Sequence, residues 1–142
     1  MNEKEIAAAA QEFELLQMQL DNMNKQDELI RITHEEYTRA RQALEDLKGK
    51  SKGDEILVPI GANCWVHAQL GDVSKGIASI GSGVAVGQKL DAIIERLDRQ
   101  IEDIGKAQNE LSTKMTKVES RARDLSAMLE QVYGQMDACQ SH

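Results

Sequence analysis

The feature that most constrains this chain is a walk of alternating three- and four-residue steps. From Gly87 it meets Leu90, Ile94, Leu97, Ile101, Ile104, Gln108, Leu111, Met115, Val118, Ala122, Leu125, Leu129, Val132, Met136 and Cys139. Every residue reached by a three-step is apolar, and after Gly87 only Gln108 interrupts the four-steps. A seven-residue beat held this long predicts a coiled-coil helix that buries one narrow seam. At 1.5 Å per residue it would run about 75 Å. A globular core seldom needs such a helix.

The start of the chain keeps the same beat from Ile6, through Ala9, Phe13, Leu16, Leu20, Met23, Asp27, Ile30, His34, Tyr37, Arg41 and Leu44. Its second half places Asp27, His34 and Arg41 on the seam. Polar seam residues cost stability and can fix register, and the long side chains of His34 and Arg41 can reach the seam's edge. Two such helices predict an antiparallel hairpin, with Leu44 near Leu90 and Ile6 near Met128. The second helix then outruns the first.

The beat stops in between. Eight of the ten glycines fall between Gly49 and Gly87, together with Pro59, the only proline. The chain therefore divides into a first helix over 2–48, a central block over 49–86 and a second helix over 87–139. The first part carries eleven acidic and six basic residues, the block three of each, and the last part ten and eight.

Within the block the period changes to two. "EILVPIG" and "CWVHAQL" read as strands joined by a turn at Gly61-Ala62-Asn63. One face of the second strand carries Cys64, Val66, Ala68 and Leu70, and Cys64 is expected to be a small buried hydrophobe. Lys75 to Ile80 and Val84 to Val86 flank Gly81-Ser82-Gly83 as a second hairpin. Pro59 cannot donate to a ladder, so it belongs at an edge or an irregularity. Isolated two-stranded hairpins are marginal in water, and open apolar edges invite another chain. The block thus predicts an oligomer. The residues expected to build it are Ile56, Val58, Ile60, Trp65, Val66, Leu70, Ile77, Ile80, Val84 and Val86.

The combination resembles a prefoldin subunit of the archaeal alpha type. The residues that carry this are "ILVPIGANCWV" (Ile56 to Val66), Gly71-Asp72 and "IASIGSGVAVGQKLDAI" (Ile77 to Ile93), with the heptads extending the likeness over nearly the whole chain. Cys64-Trp65 departs from the family's more usual tyrosine before the valine. The resemblance implies a mainly α fold with a small β insert. A long antiparallel coiled-coil hairpin would have its helices joined by two β-hairpins, which assemble into an oligomeric β-barrel hub. It further implies a hexamer of two alpha and four beta subunits. Such a complex holds unfolded polypeptides at the coiled-coil tips without nucleotide and passes them to a group II chaperonin in the cytoplasm.

The residues themselves point to the tips as well. Off the seam, Leu15, Met18, Met128 and Tyr133 lie near the end where the second helix outruns the first. The residues expected to meet clients are Ile6, Phe13, Leu15, Met18, Met128, Leu129, Val132, Tyr133 and Met136. Methionine suits promiscuous contacts. A structural coiled-coil tether would explain the heptads equally well but leaves the two hairpins without a purpose.

Other classes fit poorly. A net charge of -7 argues against nucleic acid, and no apolar run matches a membrane span. "MNEKEIAAAA" lacks the basic region and apolar stretch of a signal peptide, and two cysteines make no disulfide framework, so a reducing compartment is expected. Gly81, Gly83 and Gly87 lack a P-loop lysine, so no nucleotide is expected. Cys64 with His67 points to opposite faces of a strand, and Cys139 with His142 lies at the other end of the hairpin, so no metal is expected. No nucleophile and base converge, which makes the chain a poor enzyme and leaves it without a cofactor.

Overall fold

The structure is a computed structural model that describes residues 2–140, with side chains through residue 137. Its elements run α1 (Glu3–Lys48), β1 (Glu55–Gly61), β2 (Cys64–Gln69), β3 (Lys75–Gly81), β4 (Val84–Lys89) and α2 (Leu90–Gln140). Among the described residues, no helix is long and apolar enough to cross a membrane.

The start of α1 is capped reciprocally. The Asn2 Oδ1 accepts from the Glu5 amide at 2.8 Å, and the Glu5 Oε2 accepts from the Asn2 amide at 3.3 Å. This satisfies amides that a helix start would leave without partners. β4 runs to Lys89, so α2 begins at Leu90 rather than at Gly87. The ladder decides this, because Gly87, Gln88 and Lys89 pair with Ile77, Gly76 and Lys75.

The chain forms two compact units. One unites α1 up to Ile32 with α2 from Gly105; the other spans Thr33–Ile104. In the first, Ala9, Leu125 and Leu129 form a buried cluster against which Ile6, Phe13, Leu16 and Met128 pack. Leu125 is the most enclosed of the described core residues, only 1% exposed. Ile6 and Met128 thus share one cluster, as antiparallel pairing requires. The Arg121 guanidinium grips Glu12 with Nε at 3.0 Å and holds that carboxyl below its ordinary range, mostly through the hydrogen bond. The pair is exposed and screened, so it contributes more to register than to stability.

In the central unit the buried cluster is Ala78, Leu90 and Ile93, with Leu44, Leu47 and Leu97 packed on it. Arg41 bonds Asp98, and the Lys48 ammonium lies 2.6 Å from Asp91. Arg41 therefore reaches the seam's edge and finds an acid there.

Each hairpin is a separate two-stranded antiparallel sheet. They follow one plan at an offset of twenty residues. Val58 pairs with Val66 as Ala78 pairs with Val86, and the register shifts between Pro59 and Gly61 as it does between Ser79 and Gly81. Ala62 and Asn63 both have positive φ, as do Ser82 and Gly83, which gives each hairpin a left-handed two-residue turn. Such turns match the twist of the strands they join. The Leu70 amide donates to the Asp54 carbonyl at 2.9 Å, and the Leu90 amide to the Ser74 carbonyl at 3.0 Å. Pro59 sits at such an irregularity, where a residue without an N–H is tolerated, although Ser79 occupies the same place in the second hairpin.

Candidate binding surfaces

Each unit leaves apolar side chains open. In the unit formed by both ends of the chain, coverage of α2 declines along its seam. Leu129 is 7% exposed, Val132 is half-buried, and Met136 and Tyr133 are exposed. Leu15 and Met18 are exposed on α1. Phe13 is half-buried and, with Leu20 and Ala122, lines an open groove of about 270 Å³.

These positions narrow the expected capture surface. Leu129 is a core residue of the seam, because Ala9 and Ile6 reach far enough along α1 to cover it. Ile6, Phe13 and Met128 lean on that cluster with part of each side chain. Leu15, Met18, Tyr133 and Met136 are open, and Val132 lies at the margin. The Cys139 side chain and His142 lie outside the described residues. Leu29 and Ile32 are also exposed on α1, although the seam walk passes over them. They lie off the beat, so only a search of the other helix faces would have found them.

In the central unit the strands carry the open side chains. Val58, Ile60, Trp65, Val66, Ile77, Ile80 and Val84 are exposed, with Ile77 at 81%. Ile56, Leu70 and Val86 are half-buried. Leu57 is exposed as well, and its place within "EILVPIG" signals an apolar run on both faces. Cys64 is exposed rather than buried, with Sγ 3.5 Å from the Ala62 carbonyl. Residues 57–67 are all exposed, so its small apolar side chain has no core to enter.

Comparison with known proteins assigns this architecture. The family model for a prefoldin subunit matches residues 5–135. The chain belongs to the prefoldin family. Among archaeal relatives named prefoldin subunit alpha, it is 32% identical to that of Methanococcoides burtonii, over 84% of this chain and 86% of the relative. It is 30% identical to that of Pyrococcus horikoshii, over 92% and 89%. Solved structures agree on the fold. A filamentous prefoldin from Methanocaldococcus jannaschii superposes with TM-score 0.54 at 17% identity, covering 89% of this chain and 98% of that one. The prefoldin beta subunit from Thermococcus strain KS-1 gives 0.57 at 17%, covering 90% and 91%. Two long helices with two small hairpins between them are thus the prefoldin fold, and the chain is a prefoldin-type, non-enzymatic chaperone subunit.

Proposed function

We propose that the chain is the alpha-type subunit of a cytoplasmic prefoldin hexamer, holding unfolded polypeptides without ATP and handing them to a group II chaperonin. Its hairpins associate with prefoldin beta subunits through the exposed strand residues. The observation that carries the client-holding part is the open apolar set Leu15, Met18, Tyr133 and Met136 beside a covered seam. Apolar side chains left open at one end of an otherwise paired helical unit form a binding surface or an aggregation liability.

The energetics suit capture and release. Burying one aliphatic side chain contributes about 1.5–3 kcal/mol. Two or three such contacts, less the cost of ordering a client, give weak binding from one subunit. Several subunits on one hub raise the effective concentration of the rest. Release then needs no hydrolysis.

The test replaces Val132, Tyr133 and Met136 together with serine in the assembled complex. Aggregation of several unrelated denatured proteins is followed by light scattering. Suppression is expected to fall several-fold, and unaltered suppression would refute the assignment. A tether for defined partners would leave those unrelated proteins to aggregate even with the native chain.

A further inference from the structure

One face of α1 is not accounted for by the seam or by the open end of α2. Leu15, Met18, Leu29 and Ile32 are between 51 and 65% exposed. Leu15 and Leu29 are fourteen residues apart, and so are Met18 and Ile32. Helical periodicity puts all four on one face, turned away from the half-buried Leu16, Leu20, Met23 and Ile30. They form two apolar pairs about 21 Å apart along the axis.

An acidic row runs beside them. Glu14, Asp21 and Glu28 recur at seven-residue intervals, and all three are exposed. None of them forms an ion pair among the described residues. Lys25 is the one cation set between the pairs. A second copy of this face would bring an identical row of carboxylates, so repulsion disfavours self-pairing. A purely apolar segment would leave the row unused.

We propose that this face of α1 docks segments of unfolded polypeptide that carry two apolar anchors with lysine or arginine between them. The inference rests on the client-holding role proposed above and names the client chemistry that this subunit favours. In an extended client the anchors would be about six residues apart, since a strand rises about 3.4 Å per residue. Cations near those anchors meet Glu14, Asp21 and Glu28, which adds selectivity at low salt.

The probes are two fluorescent peptides, each with two leucines six residues apart. One has three lysines between them and the other three glutamates. Anisotropy is measured on the hexamer assembled with its beta partner. The lysine peptide is expected to bind about tenfold tighter at low salt, and the advantage should shrink as salt rises. The variant Glu14→Gln/Asp21→Asn/Glu28→Gln should erase that preference, and Leu29→Ser/Ile32→Ser should weaken both peptides. All five substitutions are on exposed helix surface, where folding is little affected. Equal affinity for the two peptides overturns the inference, as does native binding by both variants. If that happens while the complex still suppresses aggregation, this surface falls and client holding stands. If the native complex suppresses nothing, both fall.

Discussion

The two hairpins share a register, a bulge and a turn, yet they meet different surroundings. On β3, Gly76 and Ala78 press against the root of α2, and Ala78 belongs to the buried cluster with Leu90 and Ile93. Twenty residues earlier, the equivalent positions are Ile56 and Val58 on β1, of which Ile56 is half-buried, Val58 is exposed and neither belongs to a buried cluster. A Cβ on Gly76 would lie 2.9 Å from the Ile93 Cδ1 and 3.1 Å from the Leu90 Cδ2. Small residues therefore let one hairpin dock on its own helices. Large ones on the other leave an apolar surface for a different chain. Local rules set the shape of a hairpin, and side-chain size at two positions decides what covers it.

The sharpest way to break this comparison is to place a carboxylate at each of the equivalent sites. Ala78→Asp should destabilise the isolated subunit by about 3 kcal/mol in urea unfolding, because the charge enters a closed cluster. Val58→Asp should leave that stability within about 0.5 kcal/mol. Its effect should appear instead as failed assembly in native mass spectrometry. Equal costs in the subunit alone would show that both hairpins are docked.

A smaller effect is expected from Gly76→Val, which overpacks the contact with Leu90 and Ile93 and should cost about 1–3 kcal/mol by the same measurement. The turns come next. Ala62 has a φ of 50°, a left-handed conformation that disfavours a side chain. Ala62→Gly should stabilise β1–β2 by about 1 kcal/mol, and Gly83→Ala should weaken β3–β4 by a similar amount. Amide exchange in each hairpin reads both.

The smallest effect is a pH dependence at the entry to β3. The Ser74 hydroxyl and amide both donate to the Asp72 carboxylate, at 2.6 and 2.9 Å, and hold its pKa below the ordinary value. A depressed carboxyl stabilises the fold above its unfolded pKa and loses that contribution as pH falls through the folded one. Protection of the Ser74 amide should therefore drop on acidification below the ordinary carboxylate range. Asp72→Asn should flatten the profile. Lys52 stands at the equivalent place in the first hairpin, and the equivalent amide, that of Asp54, donates to the Ser51 carbonyl at 3.1 Å, so its protection should show no matching change.

Much of this was legible in sequence because periodicity reports directly on burial. Each seam residue from Ile6 to Leu44 is buried or half-buried, as is each from Leu90 to Val132. Pro59 marked one irregularity because it lacks an N–H, whereas Ser79 gave no such mark for the matching shift. Gly76 was legible only as a break in pattern, because its role depends on Leu90 and Ile93 lying across from it. Cys64 misled for the converse reason, since alternation names a strand face but not what lies over it. Leu29 and Ile32 escaped because a search for one seam discards the remaining faces.

The junction between β4 and α2 has one further consequence. Lys89 ends the strand, Leu90 begins the helix, and the Leu90 amide is held by the carbonyl of Ser74, the residue just before β3. Six residues, Gly49–Asp54, intervene between α1 and β1. The end of α1 can therefore fray while β1 stays paired. The first turn of α2 and the outer rung of β4 have no such slack, so they open and close as a single cooperative event.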